Sequence, residues 1–125
     1  MLQRKTVMIV DPSPNFRQRL KEAIYEHETL VDIVEADGAD QAAGILRNQP
    51  PDVVFAEIDL PLEEGGRLVG FIRSAVPECR IIILTGNDSE ECRATALESG
   101  ADDFLIKEDA TGLRLIDLIH GAIRR

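Results

Sequence analysis

Short apolar runs alternate along this chain with longer stretches of helical period, and the alternation repeats five times. Runs of that length without internal polar positions mark strands buried on both faces. Apolar residues recurring every three to four positions mark helices packed on one side. The first unit is the strand Thr6–Val10, then a helix with Ser13 as N-cap, Pro14 as its first residue and Phe16, Leu20 and Ile24 along one face. The second is Val31–Ala36 with a helix from about Ala39 to Asn48, where Ala42, Ile45 and Leu46 point inward and Pro50-Pro51 stops the helix. The third strand, Val53–Ile58, leads through Pro61 to Gly66 into a helix marked by Leu68, Phe71, Ile72, Ala75 and Val76 and closed by Pro77. The fourth is Arg80–Leu84 and a helix starting near Asp88, where Asp88 and Glu91 have capping-box spacing and Gly100 supplies a left-handed end. The fifth is Phe104–Ile106 and a helix carrying Leu115, Leu118, Ile119, Ala122 and Ile123 on one side.

Regular strand–helix alternation predicts an α/β fold, a doubly wound parallel sheet covered by helices on both faces. With 125 residues and no linker or repeat, the chain reads as one domain over residues 1–125. The charge balance, 14 Lys+Arg against 23 Asp+Glu, argues against direct nucleic-acid binding and against an anionic membrane surface, since both need a basic face. No apolar run approaches the ~20 residues that span a bilayer, and the N-terminus has no signal-peptide pattern, so a cytoplasmic location is expected. Cys79 and Cys92 are read as reduced packing residues, and His27 and His120 as surface residues near helix ends.

In open parallel sheets, ligands bind beyond the carboxyl ends of the strands. The residues standing there are Asp11 and Pro12, Glu57 and Asp59, Thr85 and Gly86, and Lys107. Acids, a hydroxyl and a lysine on one rim suit a phosphoryl group, with carboxylates for a nucleophile and Mg2+ and donors for phosphate oxygens. Here the segments VMIVDPSPNFRQRL, PDVVFAEIDLP, IIILTG, ESGADDFLIK and the apolar-periodic last helix carry a resemblance. From Lys5 to Ile123 the chain resembles the receiver domain of bacterial two-component response regulators, which implies a flavodoxin-like five-stranded sheet of order 2-1-3-4-5.

The resemblance implies roles position by position. In the family, two consecutive acids after the first strand help hold Mg2+, and an Asp ending the third strand takes phosphate from a histidine kinase. A Thr or Ser and a Lys contact that phosphate, and an aromatic on the fifth strand reorients with it. Thr85, Lys107 and Phe104 fit their slots, and Asp11 fits the first acid. Pro12 stands in the second acid's slot, Glu57 in the phosphoacceptor slot, and Glu108 where a Pro usually follows the Lys.

Proline offers no side-chain oxygen, so a metal held by Asp11 and Glu57 is expected to be weak or absent and no cofactor is required. The extra methylene of Glu57 advances its carboxylate by about 1.5 Å. A misplacement of about 1 Å can cost phosphoryl transfer ~100-fold. The displaced carboxylate is expected to pair with Lys107 and accept a hydrogen bond from Thr85. These departures predict a phosphorylation-independent interaction module rather than an enzyme. Its partner, a histidine kinase or a fused output domain, would dock on the fourth helix, fifth strand and fifth helix, and a homodimer is allowed. The alternative is a working phosphoacceptor using Mg2+ and Asp59 or Glu57. A nucleotide-binding flavodoxin-like domain is disfavoured, because Asp-Pro-Ser-Pro replaces a Gly-rich loop after the first strand.

Overall fold

The computed structural model describes residues 4–58, 62–110 and 112–124, so Asp59 and Pro61 lie outside the described residues. The strands are β1 (Lys5–Val10), β2 (Val31–Ala36), β3 (Val53–Ala56), β4 (Arg80–Thr85) and β5 (Asp103–Ile106). The helices are α1 (Pro14–His27), α2 (Ala39–Asn48), α3 (Leu62–Ala75), α4 (Glu90–Ser99) and α5 (Gly112–Ile123), with a 3-10 turn over Lys107–Asp109. All strand pairs are parallel and the order is β2-β1-β3-β4-β5, as expected.

Strand side chains alternate between faces, and this alternation divides the core in two. Val7, Ile9, Val53, Phe55, Ile82 and Leu84 meet Leu20 and Ile24 of α1 and Ile119, Ala122 and Ile123 of α5. Met8, Val10, Val54, Ala56, Ile81 and Ile83 meet Ala42 and Leu46 of α2, Leu68, Val69 and Ile72 of α3, and Cys92 and Ala96 of α4. The register sets Ile9, Phe55 and Ile82 side by side across the central strands. Each large side chain so buried contributes roughly 1.5–3 kcal/mol. Both cysteines are buried thiols that form no disulfide, and burial pushes the Cys79 thiol up to about 12.

Several local expectations are corrected. Ser89, not Asp88, caps α4: its side chain accepts the Cys92 N–H at 3.1 Å. Both residues are good caps, and the position of buried Cys92 selects between them. The inward stripe of α3 is Leu68, Val69 and Ile72, whereas Phe71 and Ala75 are exposed. Phe71 lies about 100° around the helix from the centre of that stripe. β3 ends at Ala56 rather than Ile58, although the Glu57 N–H still donates to Val10 O at 2.9 Å. His27 and His120 are half-buried rather than surface residues, with rings edge to face at 6.0 Å beside Glu28, whose carboxylate accepts from Arg124 at 2.8 Å.

Two glycines and one arginine fix the loops that hold the rim. A Cβ on Gly65 would stand 2.7 Å from Ile58 Cβ, so only glycine lets α3 close over the end of β3. Gly100 ends α4 at φ +119°, as expected. From α3, Arg73 donates to the carbonyls of Gly100, Pro77 and Cys79 and to Asp102 Oδ2, so one guanidinium binds the loops on both sides of β4.

Candidate functional site

Asp11, Glu57, Thr85 and Lys107 converge at the carboxyl edge of the sheet because each directly follows or ends a strand. Asp11 continues β1, its N–H donating to Ala36 O at 3.0 Å. Its Oδ1 then accepts the Ser13 N–H at 2.8 Å, closing the turn into α1. Thr85 is the last residue of β4 and pairs with Ile106 of β5, so Lys107 starts its 3-10 turn beside the acids. Exposure is 2% for Asp11, 6% for Glu57 and 0% for Thr85, so this cluster is largely withdrawn from water.

Lys107 Nζ lies 2.7 Å from Asp11 Oδ2 and 3.0 Å from Glu57 Oε1. The first contact is an ion pair off the line of a good hydrogen bond. Beneath the ammonium, the Phe16 ring centroid is 4.2 Å away, close enough for a cation–π contact. Burial alone would lower the Lys107 pKa, but its close contacts with Asp11 and Glu57 and the charge of both acids hold it above its ordinary 10.5. The ammonium is therefore kept charged between two carboxylates.

Glu57 meets Lys107 as expected, but the donor it finds on the β4 side is different. The Gly86 N–H points to Glu57 Oε1 at 3.3 Å, while Thr85 Oγ1 accepts the Asn87 N–H at 3.1 Å. The longer side chain thus reaches the backbone beyond β4. Pro12 is exposed at the mouth of the site. Asp59 lies outside the described residues. Among the described residues no group of three or more His, Cys, Asp or Glu is arranged to hold a metal ion.

Phe104 is half-buried against the α3–α4 side of the core, with Arg93 of α4 stacked 5.3 Å from its ring centroid. A groove of about 360 Å³ runs beside it, lined by Arg80, Phe104, Arg114, Asp117 and Leu118 among others. Sequence reasoning placed Gly86 at the rim without its role, which its backbone N–H carries, and missed three other contributors. Phe16 reads by its spacing as helix core. Arg17, donating to the Asp11 carbonyl, and Arg93 carry no periodic signal.

The model of the response regulator receiver domain matches residues 7–119. The chain belongs to this family. This receiver is 36% identical over 106 residues to the transcriptional regulatory protein AruR of Pseudomonas aeruginosa, covering 81% of the chain and 42% of that protein. It is 35% identical over 104 residues to a protein-glutamate methylesterase/protein-glutamine glutaminase of Idiomarina loihiensis, covering 82% of the chain and 27% of that protein. The chain thus spans less than half the length of either curated relative. A response regulator crystal structure from Thermotoga maritima superposes with a TM-score of 0.86 at 23% identity, covering 99% of this receiver and all of that chain, which establishes the fold. Receivers are signalling modules that act with kinases or output domains. No helix among the described residues of this receiver is long and apolar enough to cross a membrane.

Proposed function

We propose that this receiver works in two-component signalling without phosphotransfer at position 57, as a cytoplasmic protein-interaction module and not an enzyme. The observation that carries this reading is Glu57 itself: its carboxylate pairs with Lys107 at 3.0 Å and takes the Gly86 N–H at 3.3 Å. A phosphoryl group arriving there would need the same cation and the same space. In-line transfer requires an acceptor oxygen placed within a fraction of an ångström, and the longer side chain moves it by more than that.

The donor set also argues against the family's Mg2+. That ion wants near-octahedral oxygen coordination, and Pro12 supplies no side-chain oxygen where the family has its second acid. Asp11 Oδ1 is engaged by Ser13 N–H, and Oδ2 lies against Lys107. Glu57 Oε1 is shared by Lys107 and Gly86. No step of the proposed function passes through a metal.

The partner surface in this reading is the face of α4, β5 and α5. Arg93 stacks on Phe104 there, and Leu97 and Leu113 are exposed beside charged residues. Apolar anchors rimmed by charge suit a signalling protein, a histidine kinase or an output domain, and the balance of 14 Lys+Arg against 23 Asp+Glu argues against nucleic acid. The test is incubation with Mg2+ and acetyl phosphate, read by mass, and with beryllofluoride, read by fluorine NMR. An unmodified chain and no bound-fluoride signal are expected. Stoichiometric modification at Glu57 or Asp59 would overturn the proposal.

A further inference from the structure

We infer that the free edge of β2 is a self-pairing surface, on which a second copy of this chain adds its own β2 antiparallel and joins two sheets into one. The inference is independent of whether position 57 takes phosphate. β2 stands at the end of the sheet order, and its register with β1 runs unbroken from Lys5↔Val31 to Val10↔Ala36. The Lys5 N–H donates to Leu30 O and the Asp11 N–H to Ala36 O, each at 3.0 Å. By the alternation of a parallel ladder, Asp32, Val34 and Ala36 turn their backbone groups to β1, and Val31, Ile33 and Glu35 turn theirs outward. Arg4 covers the Val31 carbonyl at 3.0 Å, but the outward N–H and C=O of Ile33 and Glu35 have no hydrogen-bond partner among the described residues. Such edges are commonly blunted by a bulge, a proline or an uncompensated charge. This strand has neither bulge nor proline, and its two acids are already matched, Asp32 with Arg4 at 2.8 Å and Glu35 with Arg17 and Lys21 at 3.1 Å each.

The edge is complementary to itself. A twofold axis through Val34, normal to the sheet, sets Ile33 opposite Glu35 of the second copy and Glu35 opposite its Ile33, so each pair exchanges two main-chain hydrogen bonds. Val34 meets Val34 at the close, non-hydrogen-bonded position, and no acid stands directly opposite an acid. Arg4, held at Val31, and exposed Asp37 lie to either side of Val34 at equal spacing along the chain, so the same axis brings each Arg4 toward Asp37 of the other copy. The axis also keeps both α2 helices on one face of the joined sheet. A groove of about 480 Å³ lies between β2 and α2, lined by Glu35, Gln41, Gly44, Ile45 and Asn48 among others, and a Cβ on Gly44 would meet nothing within 4 Å. A glycine inside a helix costs stability, and here it leaves room for a second helix to lie close. The paired grooves then cover the half-buried Ile45 of both copies.

Sedimentation velocity from about 10 µM to about 1 mM, with 15N NMR over the same range, tests the pairing. A weak dimer is expected, since a short edge and one helix face make a small interface. The Ile33 and Glu35 amides should shift with concentration and exchange with solvent at least about threefold more slowly at the top of the range than in the dilute chain. Gly44→Arg fills the space between the helices without entering the monomer's core, and Asp37→Arg sets two cations together. Each should weaken the dimer at least about tenfold while leaving the Tm of the dilute chain within about 3 °C of wild type. Should Gly44→Arg fail to fold, the concentration dependence of the wild-type Ile33 and Glu35 amides decides alone. A monomer at about 1 mM, a dimer that either folded variant leaves intact, or concentration-dependent shifts at Leu97, Phe104 and Leu113 in place of Ile33 and Glu35 overturns the inference. Slow exchange at Ile33 and Glu35 while the chain sediments as a monomer would assign the edge to a segment of the same chain, and overturns it too.

Discussion

Replacing Glu57 by Gln removes one charge while keeping the length and shape of the side chain, so it isolates what the carboxylate does. Breaking a buried ion pair by deleting one partner costs ~3–5 kcal/mol when the remaining charge is stranded. Here Lys107 retains Asp11 at 2.7 Å and is 23% exposed, so the cost is discounted to about 1–2 kcal/mol. For a domain of this size that corresponds to a fall in Tm of about 3–10 °C. The Gln oxygen can still accept the Gly86 N–H, so that contact should weaken rather than vanish. Glu57→Asp is the complementary change: it keeps the charge but withdraws the carboxylate by about 1.5 Å, which should break the 3.3 Å contact to Gly86. Calorimetry gives the stability, and 15N NMR follows the Gly86 amide and the ring environment of Phe104. If Glu57→Gln leaves stability within about 0.5 kcal/mol and neither the Gly86 nor the Phe104 signals move in either variant, Glu57 holds nothing in place and the reasoning fails.

Arg73→Met retains the aliphatic stem but strands the carbonyls of Gly100 and Cys79, so a loss of about 2–4 kcal/mol is expected by urea unfolding, with faster amide exchange concentrated in the loop from Gly100 to Asp102; a loss below about 1 kcal/mol would contradict the clamp. Gly65→Ala sets a methyl 2.7 Å from Ile58 Cβ and should destabilise by about 1–3 kcal/mol, whereas Gly44→Ala, with open space around it, should be neutral or stabilising in the same assay. Glu35 is held below its ordinary 4.5 chiefly by its hydrogen bond to Lys21, with Arg17 adding to the effect. Its contribution is thus present above about pH 4.5 and disappears as pH falls through the lowered value, so urea midpoints of wild type and Glu35→Gln should differ at pH 7 and converge below pH 4. A gap that persists or widens in acid would refute that sign.

The fold was legible because its elements are redundant. Each strand alternates faces and each helix repeats its apolar stripe, so an error of one residue changes little. Ser89 in place of Asp88 illustrates the limit. Two adjacent residues could each accept from the helix's first turn, and only the tertiary demand that Cys92 be buried chooses between them. Phe71 illustrates another limit. Its chemistry says inside, but Gly66 and Gly70 already face α4, where an added Cβ on Gly66 would lie 3.0 Å from Ser99 Oγ, so α3 is rotated by its glycines as much as by its apolar residues. Sequence periodicity sees large apolar groups and is blind to close approach between small ones.

The site divides along the same line. Asp11, Glu57, Thr85 and Lys107 could be placed because a parallel sheet brings every strand end to one rim, and the one-dimensional order of elements already contains that geometry. What could not be read were contacts that depend on distance rather than position: the Gly86 N–H on Glu57, the Phe16 ring under Lys107, and Arg93 over Phe104. These are contacts on which the proposed unphosphorylated reading rests. A single methylene in Glu57 carries the carboxylate to a backbone donor beyond β4, and that donor opens the loop running through Asn87 to the Ser89 cap of α4. From Asn87 onward, hydrogen bonds run through Ser89 to the first turn of the helix that presents Arg93, so under the proposed function the length of one side chain would bear on the face on which partners act.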